Sequence, residues 1–290
     1  MPQTPHIATN QYPWATFCWR EGRKLDDDLP ACIREVADSG LDGFEPVVQS
    51  VERLETLAGL LGEAGLEMRS IYVGTELHDP QQAPRSVDLV LAIAEKAKDL
   101  GTRIVVTNPN TLPRDAQGAS PRGPGPIDKN DSQLQTQARA LESLGRQLAE
   151  AGLTLAYHNH DAELRQAARE FHHMMLATDA AHVTLCLDAH WIFRGAGNSS
   201  LAVHDIVKLY GRRVSELHLR QSAGGIWCET FGEGDIDYAR IAADLAALSV
   251  QPHLVMEQAV EKASPATMNA VEAHRISVSN ARRILAALAG

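Results

Sequence analysis

Side chains that can bind metals or move protons crowd the stretch LAYHNHDAEL, residues 155–164. Two histidines, His158 and His160, stand one residue apart behind an apolar run, and Asp161 and Glu163 follow them closely. Imidazoles and carboxylates bind divalent transition metals, and imidazole also exchanges protons near neutral pH. The stretch therefore indicates a metal site or an acid–base site at the end of an apolar segment.

Three later apolar segments end in the same way. CLDAHW ends with Asp188 and His190, ELHLRQ contains His218, and VMEQ contains Glu257. Taken alone, His158 fits a hydrogen-bonded histidine at a strand end better than a metal ligand, and Asp188 could cap the next turn. The joint pattern predicts a metal-ligand set of His158, Asp188, His218 and Glu257. Two carboxylates neutralise a divalent ion, and the imidazoles favour Mn²⁺, Co²⁺ or Zn²⁺ over Mg²⁺.

These side chains must be positioned by the secondary structure around them. The sequence contains eight short apolar segments, and each is followed by a longer stretch with apolar residues at helical spacing. We predict strands at 6–11, 42–48, 67–74, 103–109, 154–160, 183–191, 214–221 and 253–258. Strict alternation of strand and helix predicts an α/β fold of the (β/α)8 TIM-barrel type, as a single domain over residues 1–290. In such a barrel the carboxyl ends of the strands surround one mouth, so residues remote in sequence converge there.

Two loops are longer than the others, at residues 108–131 and 222–237, and both follow predicted strands. Loops after the strands of a barrel line the mouth, so their length fits a substrate lid better than a domain linker. The first loop fits a mobile surface insertion equally well. The Gly-rich segments 193–198 and 231–237 form no nucleotide-binding motif.

Composition and charge narrow the range of partners. The formal net charge is -10 and no cluster of basic residues offsets it, so we expect no nucleic-acid partner. No segment is apolar for the length of a membrane span, and the N-terminus lacks the features of a signal peptide. The four cysteines are widely spaced and form no CxxC motif, which favours a reducing cytoplasm. We expect a small sugar or polyol as substrate, and a homo-oligomer remains open.

Over essentially its whole length the chain resembles the xylose isomerase-like barrel family. The segments that carry the resemblance are GFEP, YHNHDAE, CLDAHW, ELHL, FGEGDIDY and VMEQ. In epimerase-like members of that family, Glu, Asp, His and Glu on strands five to eight hold a metal, and the two glutamates move protons. The resemblance places His158, Asp188, His218 and Glu257 at these positions. The strand-five glutamate is thus replaced by histidine, which weakens the expectation of a two-base epimerase, and Glu163 is held as an alternative ligand or base.

The resemblance implies chemistry through an enediolate. A divalent ion bound by adjacent carbonyl and hydroxyl oxygens acidifies the neighbouring C–H bond, and a nearby base removes the proton. Glu257 is the candidate base, and His160 or His190 is the candidate acid. Glu45 has two interpretations: it forms a hydrogen bond to a substrate hydroxyl, or it is a buried acid paired with an arginine. If the enediolate is reprotonated, the protein is a sugar, sugar-phosphate or inosose isomerase or epimerase. If the enediolate loses a hydroxyl group, the protein is an inosose or keto-sugar dehydratase.

Other interpretations stay open at this point. They are an endonuclease IV-like repair enzyme, which the negative charge disfavours, and a sugar-binding barrel without catalysis. Aromatic residues near predicted strand ends or loops could cover the apolar face of a sugar ring or simply pack in the core. They are Trp14, Trp191 and Trp227.

Overall fold

Eight parallel strands form a nearly closed barrel in the computed structural model, which describes residues 4–112 and 128–289. Each strand is short and almost entirely buried, as strands covered on both faces of a parallel sheet must be. The predicted TIM-barrel fold is therefore confirmed. The strands are β1 (Ile7–Asn10), β2 (Gly43–Glu45), β3 (Ser70–Tyr72), β4 (Ile104–Thr107), β5 (Thr154–His158), β6 (Val183–Asp188), β7 (Val214–Leu219) and β8 (His253–Met256).

The sheet runs in the order β2-β1-β8-β7-β6-β5-β4-β3, with β8 pairing in parallel with both β1 and β7. Between β2 and β3 the wall is closed by isolated parallel bridges, such as Gly43 with Glu67. The carbonyl oxygen of Glu67 would lie 2.6 Å from a Cβ atom at position 43. Glycine is therefore required at position 43 for this close approach of backbone to backbone.

Ten α-helices surround the barrel in the described residues. Side-chain caps begin several of them, and reciprocal capping boxes join Asn130 to Gln133 and Asn269 to Glu272. The helices are α1 (Gln11–Arg20), α2 (Leu29–Asp38), α3 (Val51–Ala64), α4 (Ala83–Asp99), α5 (Asp131–Glu150), α6 (Arg165–Ala177), α7 (Ala189–Gly195), α8 (Ser200–Tyr210), α9 (Tyr238–Ala247) and α10 (Ala270–Ile284). None of them is both long and apolar enough to cross a membrane.

Trp14 belongs to the core that joins the barrel to its helices. It lies on α1, is 1% exposed, and stacks on His274 of α10 with ring centroids 4.3 Å apart. Its indole nitrogen donates to the hydroxyl of Thr9 on β1 at 3.3 Å. Of the two interpretations of Trp14, the structure supports packing in the core.

The loop at 222–237 begins with a short antiparallel hairpin, Ser222–Ala223 with Ile226–Trp227. The carboxylate of Asp235 accepts hydrogen bonds from the hydroxyl of Ser222 and from the backbone nitrogens of Gly224 and Gly225. These hydrogen bonds hold this part of the loop in one conformation. The lid predicted at 108–131 lies largely outside the described residues, because 113–127 are not among them.

Gly145 provides a test of how tightly α5 packs on the barrel. A Cβ atom there would lie 2.4 Å from the carbonyl oxygen of His182, so Gly145→Ala must displace the helix or the entry to β6. We expect Gly145→Ala to lower the free energy of unfolding by about 1–3 kcal/mol in urea titrations. Gly59→Ala is the matched control, since Gly59 is exposed within α3 with nothing near its Cβ position. That control should gain up to about 1 kcal/mol from helix propensity.

Candidate active site

Four buried side chains converge at the mouth of the barrel. One ligand atom from each lies within 4.8 Å of the others, and the four residues are His158, Asp188, His218 and Glu257. They come from the ends of β5, β6, β7 and β8, where Glu257 directly follows Met256 and donates its backbone N–H to the carbonyl of Leu219 at 2.9 Å. The side chains predicted to form one ligand set are therefore brought together.

Asp188 uses its two carboxylate oxygens differently. Oδ1 accepts the backbone N–H of Trp191 at 2.8 Å and caps α7, whereas Oδ2 has no hydrogen-bond partner among residues 4–112 and 128–289. The backbone of Asp188 is also fixed, because the side chain of Asn159 bonds both its carbonyl and its N–H. The capping role and a free oxygen directed at the cluster thus coexist in one residue.

His158 is fully buried, and within the described ranges neither of its ring nitrogens has a hydrogen-bond partner. Its Nε2 lies 3.8 Å from Oδ2 of Asp188. Buried polar atoms without partners are costly, and a divalent ion between these imidazole and carboxylate atoms would satisfy them. The donor set and its unsatisfied atoms fit a metal ion.

Glu257 lies between two cationic or potentially cationic groups. Its Oε2 is 3.0 Å from Nδ1 of His218 and 2.9 Å from Nη2 of Arg220. Burial alone would raise the pKa of Glu257, but the Arg220 guanidinium and His218 hold it well below its usual range. Glu257 is therefore ionised at neutral pH.

Arg220 is itself fully buried, with its guanidinium carbon 4.8 Å from the ring of Trp191 and 4.3 Å from that of Trp227. Its Nε donates to the carbonyl of Glu257 at 2.9 Å. Trp227 is held in place because its backbone N–H donates to Glu261 at 3.0 Å. The aromatic rings and the carboxylate together compensate the desolvation of this cation.

A cavity of about 320 Å³ opens beside the cluster. Glu257 is the ligand candidate that reaches it, and His160 and Trp191 lie on its wall. Burial, and after it the neighbouring His158, lowers the pKa of His160 to about 3, so His160 is neutral at pH 7. The lining residues are Asn10, Tyr12, Val47, Tyr72, His160, Trp191 and Glu257.

The other predicted site residues lie around this cavity without lining it. Glu45 is fully buried, and its oxygens accept from Asn10 at 2.5 Å and from Ser70 at 2.8 Å. His190 is buried beside Trp227, with ring centroids 6.0 Å apart. The predicted roles of Glu45 and His190 in catalysis stay predictions.

Glu163, the alternative ligand, is fully buried in a short 3-10 helix after β5. Its two oxygens accept from the side chain of Asn108 at 3.2 Å and from the backbone N–H of His160 at 2.7 Å. In this arrangement Glu163 fixes the loop that carries His160, and it does not join the group around His158.

Sequence reasoning missed Glu216 and Cys186, which lie two residues before His218 and Asp188 and on the same faces of β7 and β6. Oε1 of Glu216 is 3.0 Å from Nε2 of His218 and 3.5 Å from the sulfur of Cys186. Burial, and after it the charge of Glu45, raises the pKa of Glu216 to about 8. The E-x-H spacing in ELHL was the available signal, because alternate strand residues share a face.

Fold and site together define a parallel α/β barrel with metal-capable side chains at its mouth. Residues 33–278 match the family model described as xylose isomerase-like TIM barrel, and the chain belongs to that family.

Individual relatives are distant. An inosose dehydratase of Clostridium perfringens is 24% identical over 275 residues, which cover 85% of this chain and 90% of the relative. The crystal structure of a sugar phosphate isomerase/epimerase from Parabacteroides distasonis superposes with a TM-score of 0.72 at 15% identity, covering 100% of this chain and 96% of that one. A xylose isomerase-like TIM barrel protein from Mycobacterium smegmatis, in complex with magnesium, gives 0.69 at 14% identity, covering 99% and 97%.

His190 gives a pH-dependence test. Burial, and after it the charge of Arg220, lowers the pKa of His190 to about 3. A histidine of the unfolded chain titrates near about 6.5, so this contribution to stability is complete above that pH and is lost as the pH falls towards 3. His190→Phe should flatten the fall of unfolding free energy between pH 6.5 and 4 by up to about 1.4 kcal/mol per pH unit, measured by urea titration. Equal slopes for both proteins would contradict the buried neutral state.

Proposed function

We propose that this protein is a divalent-metal-dependent enzyme that enolises a small hydroxyketone of the sugar, sugar-phosphate or inosose class, acting as an isomerase or epimerase. The observation that carries the proposal is the convergence of four metal-capable side chains beside a cavity that one of them, Glu257, also lines. A carbonyl-polarising ion and a base together promote removal of a C–H proton beside a carbonyl.

In this proposal His158, Asp188, His218 and Glu257 hold the ion. When bound, it supplies Lewis-acid polarisation of the substrate carbonyl. Mn²⁺, Co²⁺ or Zn²⁺ suits two imidazoles and two carboxylates better than Mg²⁺ does. The M. smegmatis protein is in complex with magnesium, which supports a divalent ion in the proposal, and metal analysis of the purified protein identifies the ion.

The pocket residues divide the remaining work. Glu257 is ionised and lines the cavity, so it can accept the proton from the substrate carbon. His160 is neutral and donates a hydrogen bond to a substrate oxygen through a ring N–H, as a neutral imidazole does. Trp191 and Tyr12 offer aromatic faces to the apolar side of a sugar ring.

Dehydration of an inosose or keto-sugar is the second candidate. Among the described pocket-lining residues, Glu257 is the carboxylate, whereas an epimerase that works from both faces of a carbon needs a second base. Inosose dehydratases also appear among the sequence relatives. Both reactions share the first proton transfer and diverge only afterwards.

The deciding experiment combines metal analysis of the purified protein with NMR of ketoses, inososes and keto-sugars incubated in heavy water. Exchange of a substrate C–H for deuterium supports enolisation, and mass spectrometry then separates rearrangement from loss of water. Tight metal binding without exchange across the panel would favour a binding barrel. Cleavage of an abasic-site DNA duplex would favour a repair enzyme.

Two substitutions separate the roles of base and ligand. Glu257→Gln keeps an oxygen that can coordinate but cannot accept a proton at neutral pH, so turnover should fall by about 10²–10⁴-fold with less effect on metal content. His158→Gln should act mainly by weakening metal affinity. Turnover is measured by deuterium exchange and metal content by emission spectrometry.

The exposed Glu233, in the loop at 222–237, supplies the control. Glu233→Gln makes the same change of charge as Glu257→Gln, and it should leave turnover and metal content unchanged. Near-normal turnover in Glu257→Gln, together with a metal-loaded but inactive His158→Gln, would reverse the two assignments and place the base within residues 157–163.

A further inference from the structure

The imidazole of His218 lies between two carboxyl groups, one on each side of the ring. On the cavity side its Nδ1 lies 3.0 Å from Oε2 of Glu257, and on the opposite side its Nε2 lies 3.0 Å from Oε1 of Glu216. Glu257 lines the cavity, whereas Glu216 is fully buried. One ring nitrogen therefore faces the space that an ion can enter, and the other faces the closed interior.

We propose that Glu216 is a positioning residue that accepts the Nε2–H of His218 and thereby makes Nδ1 the metal-binding nitrogen. This inference rests on the proposed function, since it specifies how the metal site of that function is oriented.

The strand geometry explains why Glu216 reaches this nitrogen. Residues 216 and 218 are two apart on β7, so both side chains point into the barrel, with Glu216 one layer deeper. The extended backbone of the strand fixes their separation. A histidine whose ring nitrogens are both in contact with carboxylates at 3.0 Å cannot rotate without losing both contacts.

Glu45 is a second carboxyl group on the buried side of the His218 ring. Its Oε1 lies 3.4 Å from Nε2 of His218, and its two oxygens are fixed by the side chains of Asn10 and Ser70. Because these donors come from β1 and β3, the inner carboxylates are tied to the barrel wall on several sides. The acceptor for the Nε2–H is thus rigid before any ion arrives.

The chemical consequence follows from the valence of neutral imidazole, which has one N–H and one lone pair. In the ion-free protein Nδ1 carries a hydrogen that the Glu257 carboxylate accepts. When an ion displaces that hydrogen, the hydrogen kept at Nε2 by Glu216 would leave the lone pair of Nδ1 for the ion, on the cavity side and beside Glu257. A metal-bound histidine normally donates its second N–H to a carboxylate or carbonyl, and removal of such a partner costs about 10–100-fold in metal affinity.

The experiment measures Zn²⁺ binding by the full chain in competition with a chelator, for the wild type, Glu216→Leu and Glu216→Gln. Glu216→Leu removes the acceptor, and the affinity should fall by about 10–100-fold. Glu216→Gln keeps an acceptor oxygen, and its amide can donate to Glu45, so the affinity should stay within about threefold of the wild type. In the Zn²⁺-loaded wild type, ¹⁵N NMR should show the His218 proton on Nε2 and the metal on Nδ1.

Val106→Ala is the matched control, because Val106 is fully buried in the same interior cluster as Cys186 and its side chain has no polar atom. It should leave Zn²⁺ affinity unchanged. Equal losses in Val106→Ala and Glu216→Leu would attribute the effect to packing and overturn the inference.

Other outcomes would also overturn the inference. Zn²⁺ on Nε2, or wild-type affinity in Glu216→Leu, contradicts the positioning role while leaving the metal site intact. Two ions per chain would mean that Glu45 and Glu216 hold an ion themselves. A wild-type protein that binds no divalent ion contradicts the proposed function, and the inference falls with it.

Discussion

The parallel alignment of the barrel strands determines where every polar group of the site lies. Since all the strands run in one direction, their carboxyl ends meet at one mouth, and a side chain moved by one residue along a strand would face the helices instead. The four clustered residues all sit at such ends, on strands joined by parallel ladders from β5 to β8, with one register shift between Leu185 and Cys186 in the β6–β7 ladder. The ladders fix the backbone positions of the four residues through hydrogen bonds that do not involve the clustered side chains.

A second constraint is that each charged side chain buried at the mouth of the barrel needs a neighbouring group of opposite charge. Arg220 and Glu257 are both withdrawn from water, and each is the principal counter-charge of the other. Burial of such a pair is tolerated only when hydrogen bonds or polarisable groups complete the surroundings. The backbone carbonyl of Glu257 and the rings of Trp191 and Trp227 complete them here. The hairpin that carries Trp227 is therefore part of the electrostatic balance of the site.

The barrel and the four-residue cluster were predictable because both depend on position along a strand. The apolar runs of β5 to β8 identify the strands, and the polar residues that end them identify the mouth. The orientation of individual groups was not predictable. Whether Glu45 lines the cavity or lies beneath it depends on the stagger of neighbouring strands, which no local pattern encodes. The burial of Arg220 depends on Trp227 of the hairpin and Trp191 of α7, which are distant from each other in sequence. The short helix α7 is capped by Asp188, which also belongs to the four-residue cluster.

The divided carboxylate of Asp188 limits the evolutionary paths open to this position. Asparagine would cap α7 as well as aspartate does, but it would remove the negative charge that Oδ2 presents to the cluster. Glutamate would keep the charge, but its longer side chain is poorly suited to the cap. Each single replacement thus satisfies one requirement and fails the other. At position 188, neither asparagine nor glutamate keeps both the cap and the charge, whereas exchange of one apolar side chain for another is tolerated far more readily in a barrel core.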